Sequence, residues 1–501
     1  MNDLSVKKVG IVTPEYYGRV HVGGLGMAVH GLVHALKKKG IDLRVITAHY
    51  KDSYPGTLWE GYHRASGKDY RISTSEDNGV PMYDIHGINL GHNYPYLDAW
   101  GSVHRRGADE IVVAARTFSN LATQVLDNNP ESWTPDVIHL HEWHSAATAV
   151  NVANNKKLSK IPVVTNTHNA TYTGRVPQVQ DSLPSYHSDF LLPESRTALQ
   201  VGDNLYKSLL EMGFSLSDGA ITVSETYAKE LLSGKMPVDQ RLKEVMRRKG
   251  LEGILNGLNT ELFNPMFDPH IVPYSAEDVH SVGYGKSANK QVLHKEFGFE
   301  PNYGALQITM MGRLVEQKGI ELVEKALDKI NSMKGVYLLI AGEPGYGQKS
   351  HFEQLAKNVS GNVRIHPSFV GPRLQHLVLA GSDAILMPSR YEPCGLVQME
   401  AMRYGTLVVA HPVGGLKETV MQFDGKNGNG ILIKQLTTEG ILKAISELHE
   451  LHRNPAWVNA TMNAARENLA WDGPRKSVDK YIAAYERAVR KKAEKTLKLR
   501  N

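Results

Sequence analysis

Pro388-Ser389-Arg390-Tyr391-Glu392-Pro393-Cys394-Gly395-Leu396 is the densest run of chemically capable residues in the chain, and its flanks decide the fold. Ala384–Pro388 reads as a short buried strand, and Val397 to Tyr404 carries a helical pattern. A strand, a tight loop bearing Pro and Gly, and then a helix make one unit of a parallel α/β sheet. Such a corner presents backbone N–H groups and the positive helix end at the carboxyl edge of the strand, which favours a diphosphate.

The same alternation extends outward from this stretch. Leu306–Met311, Tyr337–Ala341, Val363–His366, Leu407–His411 and Gly430–Ile433 are further strand candidates with helical patterns between them. The first half repeats the design with Val9–Thr13, Leu43–Thr47, Val137–Leu140, Pro162–Asn166 and Ala220–Ser224. After Val9–Thr13 come Gly23-Gly24-Leu25-Gly26 and a helix with Val29, Leu32, Val33 and Leu36 on one face. That helix stops at Gly40, behind Lys37-Lys38-Lys39. The expected architecture is α/β, with two Rossmann-like domains whose parallel sheets face a central cleft. The domains are expected at 1–257, completed by a C-terminal helix within 471–501, and at 258–470. Asn264 to Pro301, rich in Pro, Tyr, Gly and Asn, reads as a linker and surface excursion.

Composition narrows the function. With 501 residues and 41% hydrophobic content, the chain can bury more than one core. The net charge of +5 sits entirely in residues 486–501, which hold seven basic and two acidic groups, so the remainder is formally neutral. A solvated basic helix accounts for that charge, and neither nucleic-acid nor membrane binding is expected. A single cysteine excludes a disulfide framework. No apolar run is long enough to span a bilayer and no signal-type segment opens the chain, so the cytoplasm is the expected compartment.

Several side chains could carry chemistry. Glu392 lies on the loop and Glu400 within the following helix, placed to hydrogen-bond neighbouring sugar hydroxyls; a solvated surface acid is the plainer alternative. Arg313 and Lys318 follow the first strand of the second half, where they could neutralise a departing diphosphate. Cys394 has no His or Asn partner that would make it a nucleophile, and packing is the better reading. His139-Leu140-His141-Glu142-Trp143-His144 is one residue short of the His-Glu-x-x-His zinc helix and ends a strand, so no metal is expected there. His168 follows Pro162–Asn166 at the same rim. The glycine run at 23–26 lacks the third glycine of a dinucleotide fingerprint, because Val29 holds that place. No Asp-x-Asp occurs.

The 389–396 segment closely resembles the hallmark of glycogen and starch synthases. Met402-Arg403-Tyr404-Gly405-Thr406 and Gly414-Gly415-Leu416 follow at that family's spacing, and similar segments run nearly end to end: Val22–Gly26, Pro135–Val137, His168-Asn169, Thr222–Ser224, Gly253–Gly257, Asn264-Pro265 and Gln317–Gly319. The resemblance implies a cofactor-independent, retaining GT-B glycosyltransferase that moves glucose from ADP-glucose or UDP-glucose to the nonreducing end of an α-1,4-glucan. It would give Arg313 and Lys318 the diphosphate, Glu392 the donor hydroxyls, and Cys394, Gly395, Leu396 and Val397 backbone contacts. Gly23 and Gly24 would face the donor, His168 would sit beside the transferred sugar, and Phe369 would stack on the nucleobase. Four departures stand out. His21 replaces the family's usual Lys, and Glu142 replaces its usual Asp. Glu400 stands where bacterial glycogen synthases commonly carry an uncharged residue, although it resembles the second acid of Glu-x7-Glu retaining transferases. Residues 80–118 match poorly, leaving open a small-molecule or surface-polysaccharide acceptor, and His21 motivates a non-catalytic glucan-binding scaffold as a third reading.

Overall fold

The computed structural model describes residues 5–19, 23–49, 57–58, 63–65, 68–88, 105–129, 131–174, 208–302 and 304–498. The chain divides into two compact units, one running to Gly257 and resuming at Arg475, the other spanning Leu258–Pro474.

The first unit is built on strands β1 (Lys8–Thr13), β2 (Asp42–His49), β3 (Thr57–Leu58), β4 (His63–Ala65), β5 (Lys68–Asp77), β6 (Val80–His86), β7 (Val137–His141), β8 (Val163–Thr167), β9 (Gly219–Thr222) and β10 (Glu252–Gly253). Its sheet order is β10-β9-β8-β7-β1-β2-β6-β5-β3, with β4 paired to β5. From β10 to β6 every pairing is parallel, whereas β5 runs antiparallel to β6 and to β3. The antiparallel edge formed by β3, β4 and β5 was not among the expected strands. β7 and β8 are buried along their whole length, although each mixes apolar residues with His, Thr or Asn.

The second unit contains β11 (Leu306–Met311), β12 (Val336–Ala341), β13 (Val363–His366), β14 (Ala384–Met387), β15 (Leu407–Ala410) and β16 (Gly430–Leu432), all parallel. Their order, β13-β12-β11-β14-β15-β16, is the doubly wound arrangement, and its direction reverses between β11 and β14. The loops leaving these two strands therefore open a crevice at their carboxyl ends. In the first unit the reversal falls between β1 and β7. The core of the second unit gathers Leu306, Ile308, Leu338, Ile340, Leu386, Val409 and Phe352 among its fully buried side chains.

One expectation is corrected. The stretch 264–301, read as linker and surface, contains the 19-residue helix α2 (Val279–Phe297), named after α1 (Gly24–Lys38). Four of its polar residues, Lys286, Asn289, Lys290 and His294, are buried and hydrogen-bonded inside the protein rather than solvated. Lys286 donates to the Ala380 carbonyl at 3.0 Å and to the Thr406 hydroxyl at 2.5 Å. Lys290 pairs with Asp383 at 2.5 Å, both side chains almost wholly buried, and Asp383 also accepts from the Gln307 amide at 2.7 Å. His294 meets Gln307 at 3.0 Å. Gly285 is required by close packing, since a Cβ there would stand 2.2 Å from the Tyr274 ring. A helix that buries ammonium groups shows little apolar periodicity, which is why its sequence looked like a loop.

The last helix, α5 (Ser477–Lys498), returns to the first unit. Tyr481 accepts from Asn166 at 2.9 Å and Tyr485 meets His139 at 2.9 Å. The basic charge is partly neutralised: Lys495 lies 2.7 Å from Asp218, and Arg487 pairs with Glu252. Among the described residues, no helix is long and apolar enough to cross a membrane.

The Lys290–Asp383 pair yields a stability prediction. Lys290→Ala leaves a buried carboxylate without its cation and is expected to cost about 3–5 kcal/mol. Chemical denaturation followed by fluorescence measures the loss, and a change below 1 kcal/mol (of the order of an exposed ion pair) contradicts the assignment.

Candidate active site

The loops after β11 and β14 are locked together by backbone contacts that only glycine permits. Gly319, at φ +73°, lies so close to β14 that a Cβ would stand 2.2 Å from the Pro388 carbonyl oxygen. Arg390 donates its amide to the Gln317 carbonyl at 2.9 Å, and Gln317 Nε2 donates to the Tyr391 carbonyl at 3.3 Å. Behind them, Gly415 donates its amide to the Glu392 carbonyl at 3.1 Å; a Cβ on Gly415 would fall 2.1 Å from the Cys394 carbonyl oxygen. Gly414, at φ +44°, would likewise strike the Glu392 carbonyl. Three strand-end loops are thus stacked backbone on backbone, and the order of the strands brings them to one place.

This stacking joins Lys318 and Glu392, 74 residues apart in sequence, with Lys318 Nζ donating to Glu392 Oε2 at 2.5 Å. Ser389 Oγ donates to the same oxygen at 3.1 Å. Glu392 is buried, while Lys318 keeps about a fifth of its side chain exposed. Arg313 is half-buried, with its guanidinium 3.5 Å from Gln317 Oε1, so Gln317 touches both loops. Gly395 takes φ +72°, the left-handed turn that ends the loop, and Leu396 and Val397 open α4 (Val397–Arg403). Gln398 closes the turn by donating to the Cys394 and Gly395 carbonyls at 3.0 and 2.8 Å. Cys394 is buried, in keeping with a packing role.

Glu400 is placed differently from Glu392. It is buried within α4, and its carboxylate accepts from Gln375 Nε2 of α3 (Pro372–Gly381) at 2.8 Å. Burial pushes its carboxyl up to about 7, against the opposing pull of the Gln375 hydrogen bond and of His376. Phe369, on the loop leading into α3, is 56% exposed, an available flat surface.

In the first unit, Glu142 follows β7 with φ +64°, a left-handed conformation uncommon for a residue with a side chain. Its carboxylate accepts from the amide of His168 and from that of Asn169, the latter at 2.9 Å, fixing the loop after β8. Burial pushes Glu142 up to about 8, although the amides of Asn169 and His168 favour its charged form; nearby Glu15 raises it further. His168 lies 3.0 Å from His141 Nδ1, and burial pushes it down to about 3, so it is neutral at pH 7. Gly23 is the N-cap of α1, and its amide is 3.5 Å from Glu15 Oε2. Gly24 is the first, exposed residue of α1. His21 lies outside the described residues.

Reading the sequence missed the buried Glu15, which follows β1 at the reversal of strand order. It also missed Gln317 and Ser389, which tie the two loops of the second unit. A charged residue two positions beyond a buried strand was the available signal for Glu15.

Two doubly wound parallel sheets, each with polar groups gathered where its strand order reverses, define the GT-B class of glycosyltransferases. The starch synthase catalytic domain family matches residues 8–256, and the glycosyl transferases group 1 family matches residues 295–463. Glycogen synthase 2 of Agrobacterium fabrum is 29% identical over 494 residues, covering 95% of this chain and 92% of its own length. Glycogen synthase of Histophilus somni is 29% identical, over 93% of this chain and 96% of its own. The catalytic domain of starch synthase IV from Arabidopsis thaliana, solved bound to ADP and acarbose, superposes with a TM-score of 0.81 at 23% identity, covering 97% of this chain and 99% of that one. The chain is a glycosyltransferase of the glycogen and starch synthase-like kind.

Glu400 supplies a pH test. Its folded-state pKa is raised, so the native state holds the proton more tightly than the unfolded chain. Its stabilising contribution is therefore full below the ordinary value of 4.5 and is lost as pH rises to about 7. Glu400→Gln mimics the protonated form. Between pH 5 and pH 8 the variant should gain up to about 3 kcal/mol relative to wild type. Paired denaturation curves at the two pH values measure the gain, and a difference independent of pH contradicts the shift.

Proposed function

We propose that this enzyme transfers glucose, with retention, from ADP-glucose to the nonreducing end of an α-1,4-glucan. The observation that carries this reading is the Lys318–Glu392 pair at the β11/β14 reversal, flanked by Arg313 and by loop backbone held open by Gly395. A nucleoside diphosphate sugar entering there would draw the Lys318 ammonium and the Arg313 guanidinium to its phosphates. Glu392, freed from Lys318, would accept from hydroxyls of the transferred glucose. Backbone groups of Cys394, Gly395, Leu396 and Val397 would complete the cradle, and Phe369 offers its face to the base.

The leaving diphosphate gains negative charge as the glycosidic bond loosens. Two fixed cations stabilise that charge more in the transition state than in the ground state, which is the condition for acceleration. The acceptor hydroxyl attacks from the face the diphosphate leaves. In the first unit Gly23 and Gly24 would approach the donor, and neutral His168, oriented through Glu142, would hydrogen-bond the sugar. His21 would serve near the phosphates in place of a permanent charge, giving a pH-dependent contribution. Metal and organic cofactors have no part in this scheme. The names of the curated relatives support a glucan acceptor, and the ADP in the Arabidopsis structure supports adenine over uracil.

Purified enzyme given ADP-glucose and glycogen is expected to release ADP and lengthen the glucan, and to turn over UDP-glucose more slowly. Transfer only to a small-molecule or surface-polysaccharide acceptor in a donor-by-acceptor screen would overturn the glucan assignment. Retained glycogen binding with no turnover of any donor would favour a scaffold. Glu392→Ala is expected to lower kcat by about 10²-fold or more with folding intact. Wild-type turnover in that variant would refute its role.

A further inference from the structure

A second cluster of ligating side chains lies in the first unit, on the middle and later turns of α1. His30 and His34 are four residues apart on α1, so both rings project from one helix face. Asp77 ends β5, and the Asn78-Gly79 turn that follows has φ +47° and +73°, with Asp77 paired in register to Val80. Positive φ at both central residues is the two-residue hairpin turn whose geometry fixes the strands it joins. Lys37 Nζ donates to the Asn78 carbonyl, which fastens that turn to α1.

The result is a convergence of three donor atoms. Asp77 Oδ2 lies 3.0 Å from His34 Nε2 and 3.5 Å from His30 Nε2, and the three donors lie within 4.8 Å of one another. Tyr16 donates its hydroxyl to the same Asp77 oxygen at 2.7 Å. The His30 ring is held edge-on by Tyr16 and Tyr17, with centroids 5.3 and 5.4 Å away. A tetrahedral zinc ion with bonds of about 2.0–2.2 Å separates adjacent ligand atoms by roughly 3.3 Å. The two donor–carboxylate separations bracket that value.

We propose that His30, His34 and Asp77 form a binding site for a divalent transition metal, zinc foremost. Two imidazoles and one carboxylate suit a borderline cation such as Zn²⁺ or Co²⁺ rather than Mg²⁺ or Ca²⁺. The three side chains keep 12%, 16% and 26% of their surface exposed, leaving room for water as the fourth ligand. Tyr16 acts as a positioning residue that orients the carboxylate. The ion would clamp the β5–β6 hairpin to α1. Tyr17 donates its amide to the Gly26 carbonyl at 3.3 Å, so the clamp would also stiffen the segment that feeds the start of α1.

The experiment titrates chelator-stripped, full-length protein with Co²⁺. One equivalent is expected to give the intense visible absorption of a tetrahedral site, abolished by one equivalent of Zn²⁺, and Zn²⁺ is expected to raise Tm by several degrees. His34→Gln and Asp77→Asn should each weaken binding by about 100-fold or more, and Tyr16→Phe by about 10-fold, since partners outside the ligand set are worth 10–100-fold. Circular dichroism confirms that each variant is folded; His30→Gln replaces any that is not. Absence of a one-equivalent tetrahedral spectrum, or unchanged affinity in the folded His34→Gln and Asp77→Asn variants, overturns the proposal.

Discussion

Close backbone approach at the β11/β14 reversal is the constraint on which the second unit's chemistry depends. Strand order alone sends the two loops to neighbouring positions, but side chains would keep them apart. Gly319 against Pro388, Gly414 against Glu392 and Gly415 against Cys394 remove those side chains where backbone meets backbone. Only then can Lys318 reach Glu392. Each partly desolvated charge of the pair compensates the other. A buried carboxylate left without its ammonium would be costly.

The first unit solves the same geometric problem with side chains instead of glycines. Glu142 bends the chain into the left-handed region after β7 and uses its carboxylate to collect the amides of His168 and Asn169. Glu15 sits after the neighbouring strand and, as a like charge, adds to the rise in Glu142's affinity for a proton. His168 is neutral in this setting, which suits it to hydrogen bonding rather than to charge neutralisation.

What could be read from the sequence follows from how each element is buried. Strands buried along their whole length, such as Val137–His141 and Leu306–Met311, are rich enough in aliphatic residues to be located within a residue or two despite their His, Gln and Thr. The helix Val279–Phe297 hid because Lys286, Lys290 and His294 do inside the protein what such residues normally do in water. The hairpin of β5 and β6 carries too many polar residues to stand out, although its Asn78-Gly79 turn was a usable signal. The candidate site was legible as a set of motifs at strand ends. Its assembly was not, since the Lys318–Glu392 contact spans 74 residues and follows only from which strands are neighbours.

The central claim is that a nucleoside diphosphate seats on the loops after β11 and β14. Backbone hydrogen exchange measured with and without saturating ADP tests it directly. The account predicts slowed exchange concentrated in peptides covering 312–319 and 389–397, diminished in Lys318→Ala. Protection elsewhere, with those two loops unchanged by ADP, would contradict it.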